Sequence, residues 1–335
     1  MKYPLLTVLA LLACLTACGG TPAENPDNTA ADTSETLIYA SGDYTRINPA
    51  MDEHGEINLL LFNGLTAHDG ENRIVPALAK SWTFDAGSCT YTFQLEEGVT
   101  WHDGEPFTAD DVKFTIEAIM APENSSENAP NYEDVREIIV HNPYTVSFRL
   151  AAPNAAFLDY MSIPMLPKHL LEGENMQESA FFRAPIGTGP YRLTRWDEAQ
   201  AITLEKNPDY FKGEPKIDTV VFKIVTDDNA RALQMRAGEL DLALLTPRDA
   251  ESFVETDGYT VHRMTTSDYR GILFNFRSDY WTANRDIIPA ICYSLDRQAI
   301  LDTVVLGHGI TAYSPLQRNV YNDETVERYD YNPEK

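Results

Sequence analysis

The hydrophobic pattern divides the chain before any motif is considered. Leu5 to Leu15 is almost entirely apolar and follows a lone lysine, Lys2. That run is too short to remain in a bilayer as a span and has the form of a signal-peptide core, predicted to occupy residues 1–17. Gly19 to Thr36 then contains small and polar residues with no large apolar side chain. Such a stretch cannot bury enough surface to offset its ordering entropy, so residues 18–36 are predicted to form a disordered tether. From Leu37 onward about three hundred residues remain, enough for two lobes with sizeable cores.

Within that body, Leu37 to Ala40 reads as a short strand. Asp52 stands at a helix N-cap position, and Leu59 to Phe62 forms the apolar end of a short helix stopped by a left-handed turn at Asn63-Gly64. Tyr91, Phe93 and Leu95 alternate with polar residues, the period of a strand, and Asp103-Gly104 marks a tight turn. The helix that follows carries full entry signals: Thr108 as cap, Asp111 at the third position of a capping box, and Phe107 placed to pack on Val112. Val112, Ile116, Ile119 and Met120 share one face of it. Ala121 to Pro130 is a polar loop, and Ile138 to Val140 pairs with Thr145 to Leu150 across His141 to Tyr144. Strands follow at Tyr191 to Arg195, Ala201 to Glu205 and Val220 to Val225. A helix from Asp228 to Ala237 ends at Gly238 before the apolar Leu240 to Leu245, and this succession indicates an α/β lobe. Gly271 to Phe276 is predicted as a further strand, followed by helices over Asn284 to Ser294 and Asp296 to Leu306.

Composition narrows the classes. The 51 acidic residues against 26 basic ones leave a net charge of −25, which excludes a nucleic-acid partner and indicates a well-solvated surface. Cys89 and Cys292 lie far apart in unlike surroundings, and nothing in their spacing asks for a disulfide. The sequence has no nucleophile elbow, zinc-protease helix or phosphate loop, and no Cys/His pair with triad logic. The seven histidines are scattered and read as surface or core residues. No catalytic function and no cofactor is expected. Gly187-Thr188-Gly189-Pro190 combines flexible and rigid residues before a strand and reads as a structural corner.

Leu15-Thr16-Ala17-Cys18, small residues before a cysteine at the end of the apolar run, resembles the lipobox of bacterial lipoproteins. The resemblance implies cleavage before Cys18, lipidation of its thiol, and a membrane-anchored protein at the cell surface or in the periplasm. The plainer alternative is an ordinary secretory leader in which Cys14 and Cys18 have no special role.

The order of motifs in the body resembles the family 5 extracellular solute-binding proteins, which serve ABC importers of oligopeptides, dipeptides and nickel complexes. The stretches that carry it are INPAMDE (47–53), NGLTAHDGENRIVPALAKSW (63–82), YTFQLEEGVTWHDGEPFTADDVKFTIEAI (91–119), APIGTGPY (184–191), KNPDYFKGEPKIDTVVFKI (206–224) and RAGELDLALL (236–245). The resemblance implies a bilobed, periplasmic-binding-protein-like α/β fold of type II, cluster C, closing by hinge motion around a ligand. One lobe is expected from residues 37–50 and 183–264, an inserted subdomain from 51–182, and a second lobe from 265–335. Members of the family are longer. The chain ends at Tyr329 to Lys335, where they continue, so the second lobe is expected to be incomplete and the sequence to be a fragment.

The resemblance also nominates a cleft. The loop and helix start after Asn48-Pro49 line it, which points to Asp52, Glu53, His54 and Glu56, although acids also collect at helix starts because the dipole favours them. Tyr269 and Asn275, flanking the expected first strand of the second lobe, face it from the other side. Tyr160 and Met165, near the Pro-rich connection, complete the set. The implied solute is an oligopeptide or dipeptide, captured by a monomer and passed to membrane permease subunits. A nickel chelate or haem is the alternative within the family, and no arginine near Ile163 to Pro167 favours nickel. A surface interaction or signalling protein that kept the scaffold without a working pocket is the alternative of another class.

Overall fold

In a computed structural model, the structure describes residues 35–51, 55–264, 266, 268–316, 322–323 and 325–335. The strands are β1 (Thr36–Ser41), β2 (Thr66–His68), β3 (Ile74–Pro76), β4 (Ala79–Asp85), β5 (Thr90–Leu95), β6 (Val135–Asn142), β7 (Thr145–Leu150), β8 (Tyr191–Asp197), β9 (Ala201–Lys206), β10 (Thr219–Ile224) and β11 (Leu242–Ala243). The helices are α1 (Asn58–Leu61), α2 (Ala109–Met120), α3 (Phe157–Tyr160), α4 (Lys168–Leu171), α5 (Asp228–Arg236), α6 (Pro247–Glu251), α7 (Asp279–Ala283), α8 (Ile287–Ser294) and α9 (Arg297–Val304).

The first sheet runs in the order β11-β1-β10-β9-β8. β1 pairs in parallel with both β10 and β11, and β9 pairs antiparallel to its neighbours. Period-two alternation decides its two faces. On one side Val220, Phe222, Ile202 and Leu204 close over Ile57, Leu61 and Phe62. On the other, Ala40 and Val225 pack with Ala232 and Met235 of α5 and with Phe253. The chain leaves this sheet after β1 and returns to it at β8.

Between those points it builds the antiparallel sheet β4-β5-β7-β6 and the hairpin β2-β3. The alternating Tyr91, Phe93 and Leu95 all turn to the core, where Phe93 meets Phe148 edge-on at 5.8 Å and Tyr91 lies 5.1 Å from Phe157. α2 lays Val112, Ile116 and Ile119, none with measurable exposure, onto this sheet. Its entry is as the sequence indicates. Thr108 and Asp111 form a capping box, the Thr108 amide donating to Asp111 Oδ2 at 2.8 Å. Asp111 Oδ1 also accepts from the amide of Lys168 at 2.9 Å, so the cap ties α2 to α4, and burial raises the carboxyl's pKa.

Two expected elements differ. α1 ends with Phe62 extended, and Gly64 has no positive φ. Gly64 is needed because a Cβ there would run into the backbone of Ser162. Gly271 to Phe276 forms no strand, because no neighbouring strand among the described residues pairs with it, and Leu273 is 91% exposed. α8 and α9 form near their expected positions. Asp296 caps α9 by accepting from the Ala299 amide at 2.9 Å, and Gly307 beyond it takes φ 77°. Cys89 and Cys292 are free thiols.

Candidate functional site

The end of β1 and the segment leading into α1 lie side by side because Tyr39 and Tyr44 reach across to Glu56. The Tyr39 hydroxyl donates to Oε1 at 3.2 Å, and the Tyr44 hydroxyl donates to Oε2 at 3.4 Å. Burial, reinforced by the Glu56 charge, pushes the Tyr39 phenol up to about 12, and burial likewise raises Tyr44. Both phenols therefore stay protonated donors at neutral pH. Gly55 permits the approach, since a Cβ there would stand 2.7 Å from the Tyr44 ring.

Glu56 lines a cavity of about 580 Å³. Pro49, Asn58 and Leu59 share its wall, and about 70 residues later the chain supplies the opposite wall. There Asn128, Asn131 and Tyr132 lie in and beside a single 3₁₀ turn, and Asp159, Tyr160 and Ser162 to Pro164 follow at the end of α3. The Tyr132 hydroxyl donates to the Tyr160 carbonyl at 2.6 Å, which fixes one part of that wall to the other. Burial keeps the Tyr132 phenol neutral by raising its pKa. Asp159 pairs with His68 Nε2 at 3.1 Å. The lining thus offers side-chain amides, carboxylates and ring faces, groups that bind a polar solute by hydrogen bonds and shape. Among the described residues no three His, Cys, Asp or Glu side chains converge on a metal position. A second cavity, about 440 Å³, lies between the end of α2 and the turn after α4, with Glu117, Glu123 and Glu174 in its wall.

The Gly187 to Pro190 corner holds the first sheet against the antiparallel one. A Cβ on Gly187 or on Gly189 would overlap the carbonyl oxygens at the end of α1, and the Gly189 amide donates to Leu61 O at 2.9 Å. Neither glycine has positive φ, so close approach, not a left-handed turn, requires them. His102, on the Trp101 to Glu105 turn, locks the corner from the other side. Its Nδ1 accepts the Gly187 amide at 3.2 Å, which places the proton on Nε2, and Nε2 donates to Gly189 O at 3.0 Å. Burial lowers the imidazole pKa to about 4, so this is a neutral brace.

Of the residues nominated from sequence, Glu56 and Tyr160 meet in the cavity. Asp52, Glu53, His54 and the lipidation candidate Cys18 lie outside the described residues. Met165 has no exposed surface. It packs in the core of the antiparallel sheet, and its amide donates to Asn63 O at 3.0 Å, so its side chain offers nothing to a solute. Tyr269 and Asn275 are exposed on an extended segment and do not line the cavity. Asn275 Oδ1 instead accepts from the Arg277 amide at 3.1 Å in a local turn. Sequence reasoning missed Asn58, Asn128, Asn131, Tyr132 and Asp159. Asn128 falls in the polar loop expected over Ala121 to Pro130, and no spacing marks residues joined only by tertiary approach.

The comparisons with known proteins agree in kind. A model of the bacterial extracellular solute-binding proteins, family 5 (middle), matches residues 73–335. Protein XP55 of Streptomyces lividans is 31% identical over 310 residues, covering 92% of this chain and 57% of the relative. The oligopeptide-binding protein AppA of Bacillus subtilis is 29% identical, over 99% of this chain and 64% of its own length. Among solved structures, NikZ from Campylobacter jejuni in complex with Ni(L-His) is similar at TM-score 0.85 and 35% identity, over 89% of this chain and 61% of NikZ. The structure of Bacillus subtilis AppA in complex with a nonapeptide is similar at TM-score 0.80 and 29% identity, over 89% of this chain and 62% of AppA. The chain thus spans about three fifths of the length of these relatives. It has the α/β fold of the bilobed solute-binding proteins, and it belongs to family 5 of the bacterial extracellular solute-binding proteins.

Proposed function

We propose that this protein is the solute receptor of an ABC importer, capturing oligopeptides or dipeptides outside the cytoplasmic membrane and delivering them to the permease. It acts as a binder and not as an enzyme. The observation that carries the reading is the cavity beside Glu56, of about 580 Å³ and walled by amides and tyrosines, at the seam where the chain leaves β1. Peptide backbones present donors and acceptors that such groups satisfy without selecting side chains. In this reading residues 37–50 and 183–264 form one lobe, 51–182 an inserted subdomain that supplies the second wall, and 265–335 the beginning of the other lobe. Lipidation of Cys18 and the tether after it hold the receptor within reach of the permease, which raises its effective concentration there.

A nickel–histidine chelate is the second reading, favoured by the similarity to NikZ at 35% identity. Thermal unfolding in the presence of a tripeptide library, and separately of nickel with histidine, separates the two. A binder rises in melting temperature with ligand concentration, by about 2.7 kcal/mol of stability at a hundredfold excess over Kd. Peptide-dependent stabilisation lost in Asn131→Ala supports the first reading. Stabilisation by nickel with histidine alone supports the second, and a melting temperature that no ligand moves overturns both.

A further inference from the structure

We propose that the groove between the end of α2 and the turn after α4 is a docking surface for a basic segment of another protein, one that presents an apolar side chain flanked by lysine or arginine. This goes beyond solute capture, since no residue lines both this groove and the cavity beside Glu56.

The groove has an apolar floor and a fixed wall. Phe114 and Ala118 stand one turn apart on α2 and share a space of about 440 Å³ with Leu171 and Met176. Phe114 packs against the core of the antiparallel sheet but is only half-buried, which leaves part of its ring to the groove. Bonds made within the protein hold the two turns together. The Asn124 side chain donates to Ala118 O at 2.8 Å, the Gln177 side chain donates to Asn124 O, and Asn175 Oδ1 accepts the Gln177 amide at 2.8 Å. Arg46 extends the network by donating to the Gln177 carbonyl at 2.9 Å. A surface formed before its partner arrives loses little freedom on binding.

Negative charge lies beside that floor. Glu117, Glu123 and Glu174 line the groove, and all three are exposed. Lys113 stands 3.7 Å from Glu117 and answers its charge. Among the described residues the side chains of Glu123 and Glu174 have no hydrogen-bond or ion-pair partner, and they come from the two different turns. Charge complementarity then selects the occupant. A second copy of the chain brings a net charge of −25 and is repelled. An anionic membrane surface is repelled likewise. The chain's own Gly19 to Thr36 carries acidic residues and neither a basic nor a large apolar one, so it cannot fill the groove. A segment with lysine or arginine on either side of a leucine, methionine or phenylalanine satisfies both parts. Its apolar side chain covers Phe114, and its cations reach Glu123 and Glu174.

Calorimetric titration with an acetylated and amidated leucine/lysine helix of about 18 residues, long enough to hold its fold, tests the surface. Two further probes carry glutamine in place of leucine and glutamate in place of lysine. The leucine/lysine helix is expected to bind tightest, each replacement weakening binding by about tenfold. For that helix, Glu123→Lys combined with Glu174→Lys should weaken binding by about tenfold. Glu205→Lys combined with Glu255→Lys, two exposed acids elsewhere, changes the net charge equally and should stay within about twofold of the unsubstituted protein. Melting curves establish that each variant is folded. Equal effects of the two charge reversals, whether large or nil, reduce binding to the field of the whole protein or place the probe elsewhere, and overturn the proposal. A glutamine probe that binds as tightly as the leucine one removes the apolar anchor and overturns it as well. So does the absence of binding by every probe.

Discussion

Helices α2 and α8 put the same kinds of residue to opposite ends. The stripe Val112, Ile116 and Ile119 of α2 is fully buried, whereas α8, richer in apolar residues from Ile287 to Ile291, has no buried residue at all. The contrast extends along the chain. Up to Phe253 the side chains close into three cores, and beyond Phe253 no described residue is buried, while Leu273, Ile300, Val304 and Ile310 each stay more than half exposed. What α2 has is a sheet beneath it and α4 beside it. An apolar stripe stabilises a fold only by the surface that some partner removes from water.

The largest expected effect tests that contrast directly. Ile116→Ala should lower unfolding stability by about 4 kcal/mol, because it empties a site with no exposed surface, whereas Ile291→Ala should cost less than about 1 kcal/mol. Urea titrations of both variants measure it, and equal costs would break the comparison. The next effect is in pH and belongs to the earlier region alone. His102 titrates near 4 in the folded protein against about 6.5 when unfolded, so the unfolded chain binds the extra proton first. Its contribution is complete above pH 6.5 and is lost as pH falls toward 4, about 3 kcal/mol in all. His102→Gln should flatten the stability profile across that window, and a variant profile with the unsubstituted slope would remove the brace from the account. The smallest effect concerns caps. Thr108→Ala should cost about 1 kcal/mol in global unfolding, while Asp296→Ala should register only as faster amide exchange within α9.

Elements of the earlier region were legible because local signals and tertiary demand coincide there. The Thr108–Asp111 box, the Tyr91–Phe93–Leu95 alternation and the Gly238 stop each state locally what the fold then uses. The segment Gly271 to Phe276 carried an equally strong strand pattern and formed none, since a strand is completed by a pairing partner and not by propensity. The candidate site was half legible. Glu56 and Tyr160 were named, whereas Asn58 and Asp159, their near neighbours in sequence, were not, and Asn128 and Asn131 join them only through approach of segments about 30 to 70 residues apart. Met165 shows the converse error, a residue adjacent in sequence to the cavity wall whose side chain turns into the core.

The amino-acid sequence alone carried the family resemblance in the order of its motifs, and it determined the α/β class and most element positions, because capping, alternation and turn chemistry act over a few residues and leave a local record. Only the tertiary structure decided the rest. It turned Gly187 and Gly189 from presumed flexible residues into points of closest approach. It made His102 a neutral brace by surrounding it with two backbone groups and little water. It set Glu56 between two phenols at the edge of a cavity, and it left no residue of α8 or α9 fully buried. Each outcome depends on distances between groups remote in sequence, and burial, hydrogen-bond partnership and charge compensation are properties of those distances.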